Sequence, residues 1–421
     1  MPQLLLILGA GVSGLAAARL AASEGQGGML VSEQPPTADQ LTALTADGFR
    51  WQADLPETGF SEVILSPGIP ASHPWLAHLR QQGARIVPEF EWAASRLSGK
   101  QIAITGSLGK TSMVLLAADL LRAAGYQVTV SGNIGRSVSE MALTEPVADV
   151  HLLELSSFQL ESTEAYRPDT GICLNLFPNH LDRHQSLRIY AEAKARLFRF
   201  QTPNDLAVWP AEYPVEVDCV ARRVDPDSIN LPAWAGSLFA QGPLRRNLQF
   251  LMAGLSDISV LNKDLLEATV RAFTFPAHRM QWLNLPGAGP VMDDSKSTCL
   301  SATRAALETI SGSVQLVMGG LDKAEDFNAL TPILAQRKPS LYLFGQAAKK
   351  MREAWQDSVD ECRTFDTLEE TLLVLWSGRS MLQTLLFSPG CASFDQFPGY
   401  AARGQYFQQL VTRLATQAPI Q

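Results

Sequence analysis

The sequence predicts a three-domain α/β protein. Three observations carry that expectation: a length of 421 residues, a repeated alternation of short apolar strands with helical runs, and two glycine-rich turns at 9–14 and 106–112, each leading from a strand into a helix. At roughly 150 residues per domain the length allows two or three domains. The alternation implies parallel sheets covered by helices. In order, residues 4–7 form a strand, 13–23 a helix, and 29–32 a strand ending at Glu33. Residues 63–66 form a strand running into Pro67-Gly68-Ile69-Pro70, 73–82 a helix and 85–87 a strand. Gly99 and Lys100 mark a boundary, after which strand 102–105 enters the second glycine turn and a helix covers 113–124. Strands follow at 127–130, 150–154 and 170–174, then a long helix with a basic face over 186–199. The proline-rich, polar stretch 203–243 reads as loops with short strands. Beyond Phe275-Pro276, strands at 314–318, 340–344 and 383–387 alternate with helices. The expected domains are a Rossmann-like 1–97, a central P-loop ATPase-like 98–275 with a parallel sheet, and a Rossmann-like 276–421.

Composition narrows the function. Hydrophobic residues make up 46% and charged residues 18%, an ordinary globular balance. A net charge of −8 without a long basic run argues against nucleic-acid binding. The apolar run 4–18 follows no Lys or Arg and is broken by Gly9, Gly11 and Gly14, so it reads as strand–turn–helix and not as a signal or membrane span. Five scattered cysteines without a CxxC pair suggest reduced thiols and a cytoplasmic location.

The strongest chemical signal is 102–112, IAITGSLGKTS. Glycines at a helix N-terminus let backbone N–H groups approach an anion, and the helix dipole favours negative charge there. Lys110 can reach terminal phosphates and the Thr111 hydroxyl can ligate Mg²⁺. The loop has two residues, Ser107 and Leu108, between its first glycine and Gly109-Lys110, where the usual P-loop has four. The competing reading is a plain glycine turn. Gly9-Ala-Gly-Val-Ser-Gly14 matches GxGxxG, with Glu33 about 20 residues on. It fits either NAD(P) or FAD, or a Rossmann-like turn holding another nucleotide's diphosphate, and the second nucleotide loop favours the latter.

Further candidates stand at strand ends. Glu154, in ELSSFQLE, is either a Mg²⁺ ligand beside the loop or a surface glutamate. His180 lies in Asn175–His184, at the carboxyl end of a parallel strand where α/β sites form. Lys194, read from the residues alone, is a solvated helix lysine without a role. Lys296 could bridge phosphate oxygens with Asp294 orienting it, and Lys323 could bind a carboxylate; each could equally be a solvated loop residue.

Taken together, these motifs resemble the Mur ligase family over nearly the whole chain. The resemblance rests on Gly9–Gly14, Ser66-Pro-Gly68, Thr105–Ser112, Gly132–Gly135, Glu154–Glu161, Asn175–His184, His278-Arg279, Asp294–Thr298, Gly319–Phe327 and Ser388–Phe397, in that order. ELSSFQLE and SPGCASFDQF are most similar to the branch that adds D-glutamate, and the short GxxGK[ST] loop is a form used by the family. The resemblance implies an ATP-dependent, ADP-forming amide ligase joining D-glutamate to UDP-N-acetylmuramoyl-L-alanine through an acyl phosphate and a tetrahedral intermediate. Val12, Ser13, Glu33, Ser66, Pro67 and Gly68 would bind the UDP substrate. ATP would be held by Gly106 to Ser112 (Gly106, Ser107, Leu108, Gly109, Lys110, Thr111, Ser112) with Asn247, Arg279 and Asp294. Lys110, Asn133, His180, Lys194 and Lys296 would be catalytic. Thr111 and Glu154 would hold one Mg²⁺; His180 and a CO₂-derived carbamate on Lys194 would hold a second. Thr298, Lys323, Ser393, Phe394 and Tyr400 would bind glutamate. The implied protein is a cytoplasmic monomer without a membrane span or nucleic-acid partner, whose third domain closes on the ATP site.

Several positions depart from the family pattern. Asn179 replaces an Asp before the histidine, Cys299 ends the SKATN-like motif, Gln281 replaces the Glu of HRxE, and 244–247 keeps only Asn247 of HNxxN. The competing functions are a related ligase adding L-alanine, a diamino acid or glutamate to folate; an L-glutamate ligase; and a nicotinamide dehydrogenase using 9–14.

Overall fold

A computed structural model describes residues 4–56, 59–232, 234, 237–258, 262–323 and 325–417. The chain forms two compact units: unit 1 is Met1–Trp234 with Asn247–Phe273, and unit 2 is Ala235–Arg246 with Thr274–Gln421. Unit 1 contains two sheets. The first has strands β1 (Leu5–Leu8), β2 (Gly28–Val31), β3 (Phe49–Gln52), β4 (Glu62–Leu65) and β5 (Arg85–Pro88), all parallel in the order β3-β2-β1-β4-β5. The second has β6 (Ser98–Thr105), β7 (Val128–Gly132), β8 (Val147–Glu154), β9 (Thr170–Cys173), β10 (Leu206–Val208) and β11 (Arg222–Arg223) in the parallel order β11-β10-β9-β6-β8-β7. Unit 2 carries the third sheet, with β12 (Gln281–Leu283), β13 (Val291–Asp293), β14 (Val314–Gly319), β15 (Ser340–Phe344), β16 (Cys362–Phe365) and β17 (Thr384–Gly390) in the order β12-β13-β17-β14-β15-β16.

The expected α/β class and its three sheets are therefore present, with differences in detail. The third sheet is mixed, because β12 runs antiparallel to β13. β3 and the helices Ala38–Ala46 and Glu89–Ala94 were not expected from the sequence. The basic helix is shorter than 186–199: it covers Leu187–Ala195 and tightens to a 3₁₀ turn at Arg196–Phe198. Among the described residues no helix is long and apolar enough to cross a membrane.

Within unit 1 the two sheets share a core. Leu5, Ile7, Ala17, Ala21 and Phe90 from the first sheet's layer pack in one buried cluster with Ala103, Val138 and Met141 from the second. The alanine-rich face of helix Val12–Ser23 allows close approach of helix Val138–Thr144, and Arg19 reaches Glu140 at 2.6 Å beside that contact. Two buried acids fasten the same region. Glu89 accepts the Ser139 N–H at 2.7 Å, and Glu91 accepts the N–H groups of Glu164 and Ala165 at 2.9 Å each. Both lie on helix Glu89–Ala94, where side-chain acceptors satisfy backbone donors that the neighbouring segments leave open.

Burial raises the Glu89 carboxyl from 4.5 to about 7. The folded protein then keeps a proton that the unfolded chain releases. The stability from this group is fully present below pH 4.5 and is lost as pH rises through about 7. Chemical unfolding measured from pH 4.5 to 8 should show a fall on the order of 3 kcal/mol from this source. Glu89→Gln keeps an acceptor for Ser139 and should flatten that fall; an unchanged slope would assign the pH dependence elsewhere.

Candidate functional site

The site in unit 1 forms where three adjacent parallel strands end. β6 is flanked by β8 and β9, so its exit loop lies between Glu154 at the end of β8 and Asn175 just beyond β9. Register pairs Ile104 with Glu154 and Thr105 with Cys173. Gly106 leaves β6, and helix Lys110–Ala123 starts from Gly109, whose φ is +81°. A β-carbon at Gly109 would collide with the Asn247 amide, so glycine is needed there for both conformation and space. The first intrahelical bond runs from Met113 N–H to Gly109 C=O, so the N–H groups of the helix's first turn face the loop.

Glu154 is buried beside this turn. Its Oε2 accepts the Thr111 hydroxyl at 2.8 Å and its Oε1 accepts the Asn133 amide at 2.8 Å. Asn133 follows β7, and its own N–H donates to the Glu154 carbonyl at 2.8 Å. The surface-glutamate alternative for Glu154 is thus excluded. A buried carboxylate hydrogen-bonded by neutral donors, next to a hydroxyl, is a hard-oxygen set suited to Mg²⁺. Among the described residues no group of three or more His, Cys, Asp or Glu is arranged to hold a metal.

Two lysines converge on the Gly106 carbonyl. Lys110 Nζ donates to it at 2.8 Å and to the Ser107 carbonyl at 3.3 Å. Lys194 Nζ donates to it at 3.0 Å and to Thr105 Oγ1 at 3.1 Å. Lys194 is 1% exposed, which overturns the reading of a solvated helix lysine. Burial, and secondarily the Lys110 charge, hold its amine well below the usual lysine range. A neutral amine is the form that can add to CO₂.

His180 caps the short helix Leu181–His184 in a left-handed conformation, and its ring packs edge-on against Phe158 at 4.9 Å. Asn179 turns back to accept the His180 N–H at 2.9 Å, so its amide serves this turn without a charge. Arg183 lies over the Phe158 ring and pairs with Glu161. It also donates to the Pro67 and Ile69 carbonyls at 3.2 Å each, linking this helix to the Ser66–Gly68 loop of the first sheet. In that sheet Ser66 is buried and reaches the Gly9 carbonyl at 3.4 Å, while Val12 is exposed and Ser13 half-buried at the helix start. A β-carbon at Gly14 would run into the Gly9 carbonyl, which accounts for the third glycine. Glu33 pairs with His73 at 3.5 Å.

Unit 2 gathers its candidates around β13 and β17. Asp294 is buried and accepts the Met280 N–H at 3.0 Å, the Ser388 hydroxyl at 2.9 Å and the Ser297 hydroxyl. Burial raises its carboxyl to about 6. Lys296 Nζ lies 3.8 Å from the centroid of the Tyr400 ring. His278 Nδ1 meets Asp293 at 2.6 Å, and Gln281 accepts the His278 N–H at 3.0 Å, so the amide at 281 still supplies an acceptor. Arg279 and Thr298 are half-buried, Ser393 is buried, and Lys323 and Phe394 are exposed.

Three residues with evident structural work were not singled out from the sequence. Arg183 is one. Arg403 is fully buried on the C-terminal helix Tyr400–Gln417 and donates to Ser295 Oγ, the Ser295 carbonyl and the Cys391 carbonyl at 3.1, 2.8 and 3.0 Å, tying the 295 and 391 turns together. Asn175 is the third; its amide bonds Ser107 and Leu108 of the loop and Asn247 behind it. Asn247 therefore sits buried under the loop, against Gly109.

Comparison with known proteins gives a consistent result. Residues 104–225 match the Mur ligase middle domain. The UDP-N-acetylmuramoylalanine–D-glutamate ligase of Solibacter usitatus is 33% identical, with 97% of both chains covered. The enzyme of that name from Geobacillus kaustophilus is 31% identical, again over 97% of each. Among solved structures, MurF ligase from Thermotoga maritima in complex with ADP aligns with a TM-score of 0.65 at 15% identity, covering 96% of this chain and 99% of that one. That likeness speaks to the fold.

Gly109→Ala should destabilise the protein by about 1–2 kcal/mol, through the left-handed backbone and displacement of the Asn247 amide. Urea unfolding measures this; an unchanged midpoint would mean that the loop relaxes without cost.

Proposed function

The chain belongs to the UDP-N-acetylmuramoylalanine–D-glutamate ligase family of Mur ligases, and from that premise we propose how its residues carry the reaction. It is an ATP-dependent, ADP-forming ligase that adds D-glutamate to UDP-N-acetylmuramoyl-L-alanine in peptidoglycan precursor synthesis. The observation that carries the residue assignment is the convergence of Lys110, Lys194, Thr111 and Glu154 around one loop at a helix N-terminus.

A carboxylate is a poor acceptor for an amine. Transfer of the ATP γ-phosphoryl to the alanyl carboxylate gives an acyl phosphate and ADP. The glutamate amine attacks the acyl carbon and loses a proton, and the tetrahedral intermediate expels inorganic phosphate to leave the amide. Lys110 and the first-turn N–H groups hold the β- and γ-phosphates, with Gly106 to Ser112 shaping the loop. Thr111 and Glu154 would hold one Mg²⁺, and His180 together with Lys194, as a CO₂-derived carbamate, would hold a second. The chemistry Mg²⁺ would supply there is to offset repulsion between the γ-phosphate and the substrate carboxylate. Asn133 donates to Glu154 and orients the Glu154 carboxylate.

Val12, Ser13, Glu33, Ser66, Pro67 and Gly68 are assigned to the UDP substrate. In unit 2, Arg279, Asp294 and Lys296 are assigned to nucleotide handling, and Thr298, Lys323, Ser393, Phe394 and Tyr400 to glutamate. The functional division 1–97, 98–275 and 276–421 assigns one task to each sheet.

Phosphate release with UDP-N-acetylmuramoyl-L-alanine tests the reading directly: D-glutamate should support turnover and L-glutamate should not, and equal rates would overturn the stereochemical assignment. Lys110→Ala should abolish ligation while UDP-substrate binding, followed by calorimetry, is retained. Near-normal turnover would remove Lys110 from the phosphate site. Lys194→Ala should lose activity that acetate partly restores by supplying a carboxylate, whereas Lys194→Arg stays inactive. Full activity of Lys194→Arg would exclude the carbamate.

A further inference from the structure

The phosphate loop is held from beneath by a side chain to which nothing above gives a chemical role. Asn175 Oδ1 accepts the Leu108 N–H at 2.9 Å and shares the Ser107 N–H with its own main-chain carbonyl, at 3.1 Å each. Asn175 Nδ2 donates to the Leu108 carbonyl and to Asn247 Oδ1, at 2.8 Å each. Four hydrogen bonds are the full capacity of one amide side chain. The other end of the Asn247 amide stands against Gly109, so the Asn247–Asn175 pair touches every loop residue from Ser107 to Gly109. The Ser107 hydroxyl is committed as well: it accepts from the Phe177 N–H at 2.9 Å and from the Tyr190 hydroxyl at 3.1 Å, and it donates to the Phe177 carbonyl at 3.0 Å.

Consecutive N–H groups turned toward one point are what a loop ordinarily offers to an anion. Here a protein carbonyl oxygen takes that position. We propose that Asn175 is a positioning residue of the phosphate loop: it satisfies the Ser107 and Leu108 N–H groups internally, and so directs the phosphates of ATP to Lys110 and the first turn of the following helix. Asn247 acts through Asn175 by fixing the orientation of its amide. The pair also accounts for the shortness of the loop. With only Ser107 and Leu108 between the glycines, the loop has too few N–H groups to wrap a phosphate and hold its own shape, and the amide supplies the shape. This inference rests on the reading of 106–112 as the ATP loop.

Steady-state phosphate release by the full-length enzyme tests it. Asn175→Ala should raise KM for ATP at least tenfold and leave KM for UDP-N-acetylmuramoyl-L-alanine within twofold. Asn175→Asp keeps acceptors for the two N–H groups but replaces the donor with a negative charge facing the Leu108 carbonyl; it should raise KM for ATP as strongly, and it serves as the second variant if the alanine protein folds poorly. Asn247→Ala should raise KM for ATP without altering the preference for ATP over GTP. The double variant should be no worse than about twofold beyond Asn175→Ala, because both act on one interaction. An unchanged KM for ATP in either Asn175 variant, multiplied effects in the double variant, or a changed base preference in Asn247→Ala would overturn the proposal. Failure of the underlying reading looks different: the unsubstituted enzyme itself would show no ATP-dependent phosphate release.

Discussion

One backbone carbonyl sets the terms for unit 1. Gly106 C=O receives hydrogen bonds from two lysine amines, one at the opening helix turn and one on a helix far along the chain. Two ammonium groups so near each other, one of them without access to water, cannot both keep their charge at moderate cost. Burial, and secondarily the Lys110 charge, hold the Lys194 amine well below the usual lysine range, so the two amines are unequal. The rest of the site is arranged around this asymmetry. Glu154 and Thr111 close one side of the turn, and Asn175 and Asn247 close the other. The positive end of the helix dipole and the Lys110 charge then point the same way.

What could be read in advance followed from whether a signal was local. The glycine turns at 9–14 and 106–112, with their strands and helices, were legible because glycine spacing and an apolar strand are contiguous in sequence. Glu154, at a strand end next to the loop strand, was legible only as one of two alternatives, since adjacency of β6 and β8 is a fact of topology. Lys194 gave no sign of burial: the helix around it, LRIYAEAKA, is polar enough to pass as solvated, and its inward face is set by packing against the β6 exit. Arg403 likewise carries no local sign of burial, since a basic residue on a terminal helix is normally exposed.

The unexpected elements have physical reasons too. β3 lies at a sheet edge, where FRWQ needs no continuous apolar run. Helix Glu89–Ala94 carries two glutamates that would ordinarily mark a solvent face, but both are turned inward to accept backbone N–H groups. Gly99, read as a boundary, lies near the start of β6, where its φ of +134° accompanies a bulge with pairing on either side. The departures at Asn179 and Gln281 are likewise intelligible only in three dimensions, where each amide does the accepting that a carboxylate could do.

The Arg183 strap differs in kind from the contacts around Gly106. It grips the segment after β4 through the carbonyls of Pro67 and Ile69, groups that every amino acid possesses. Its hold depends on the path of that segment and not on the side chains it carries. The segment is therefore free to change its chemistry by substitution while its attachment to the helix after His180 persists. A fold built this way can be refitted to a different bound molecule in its first sheet without redesigning the machinery in its second.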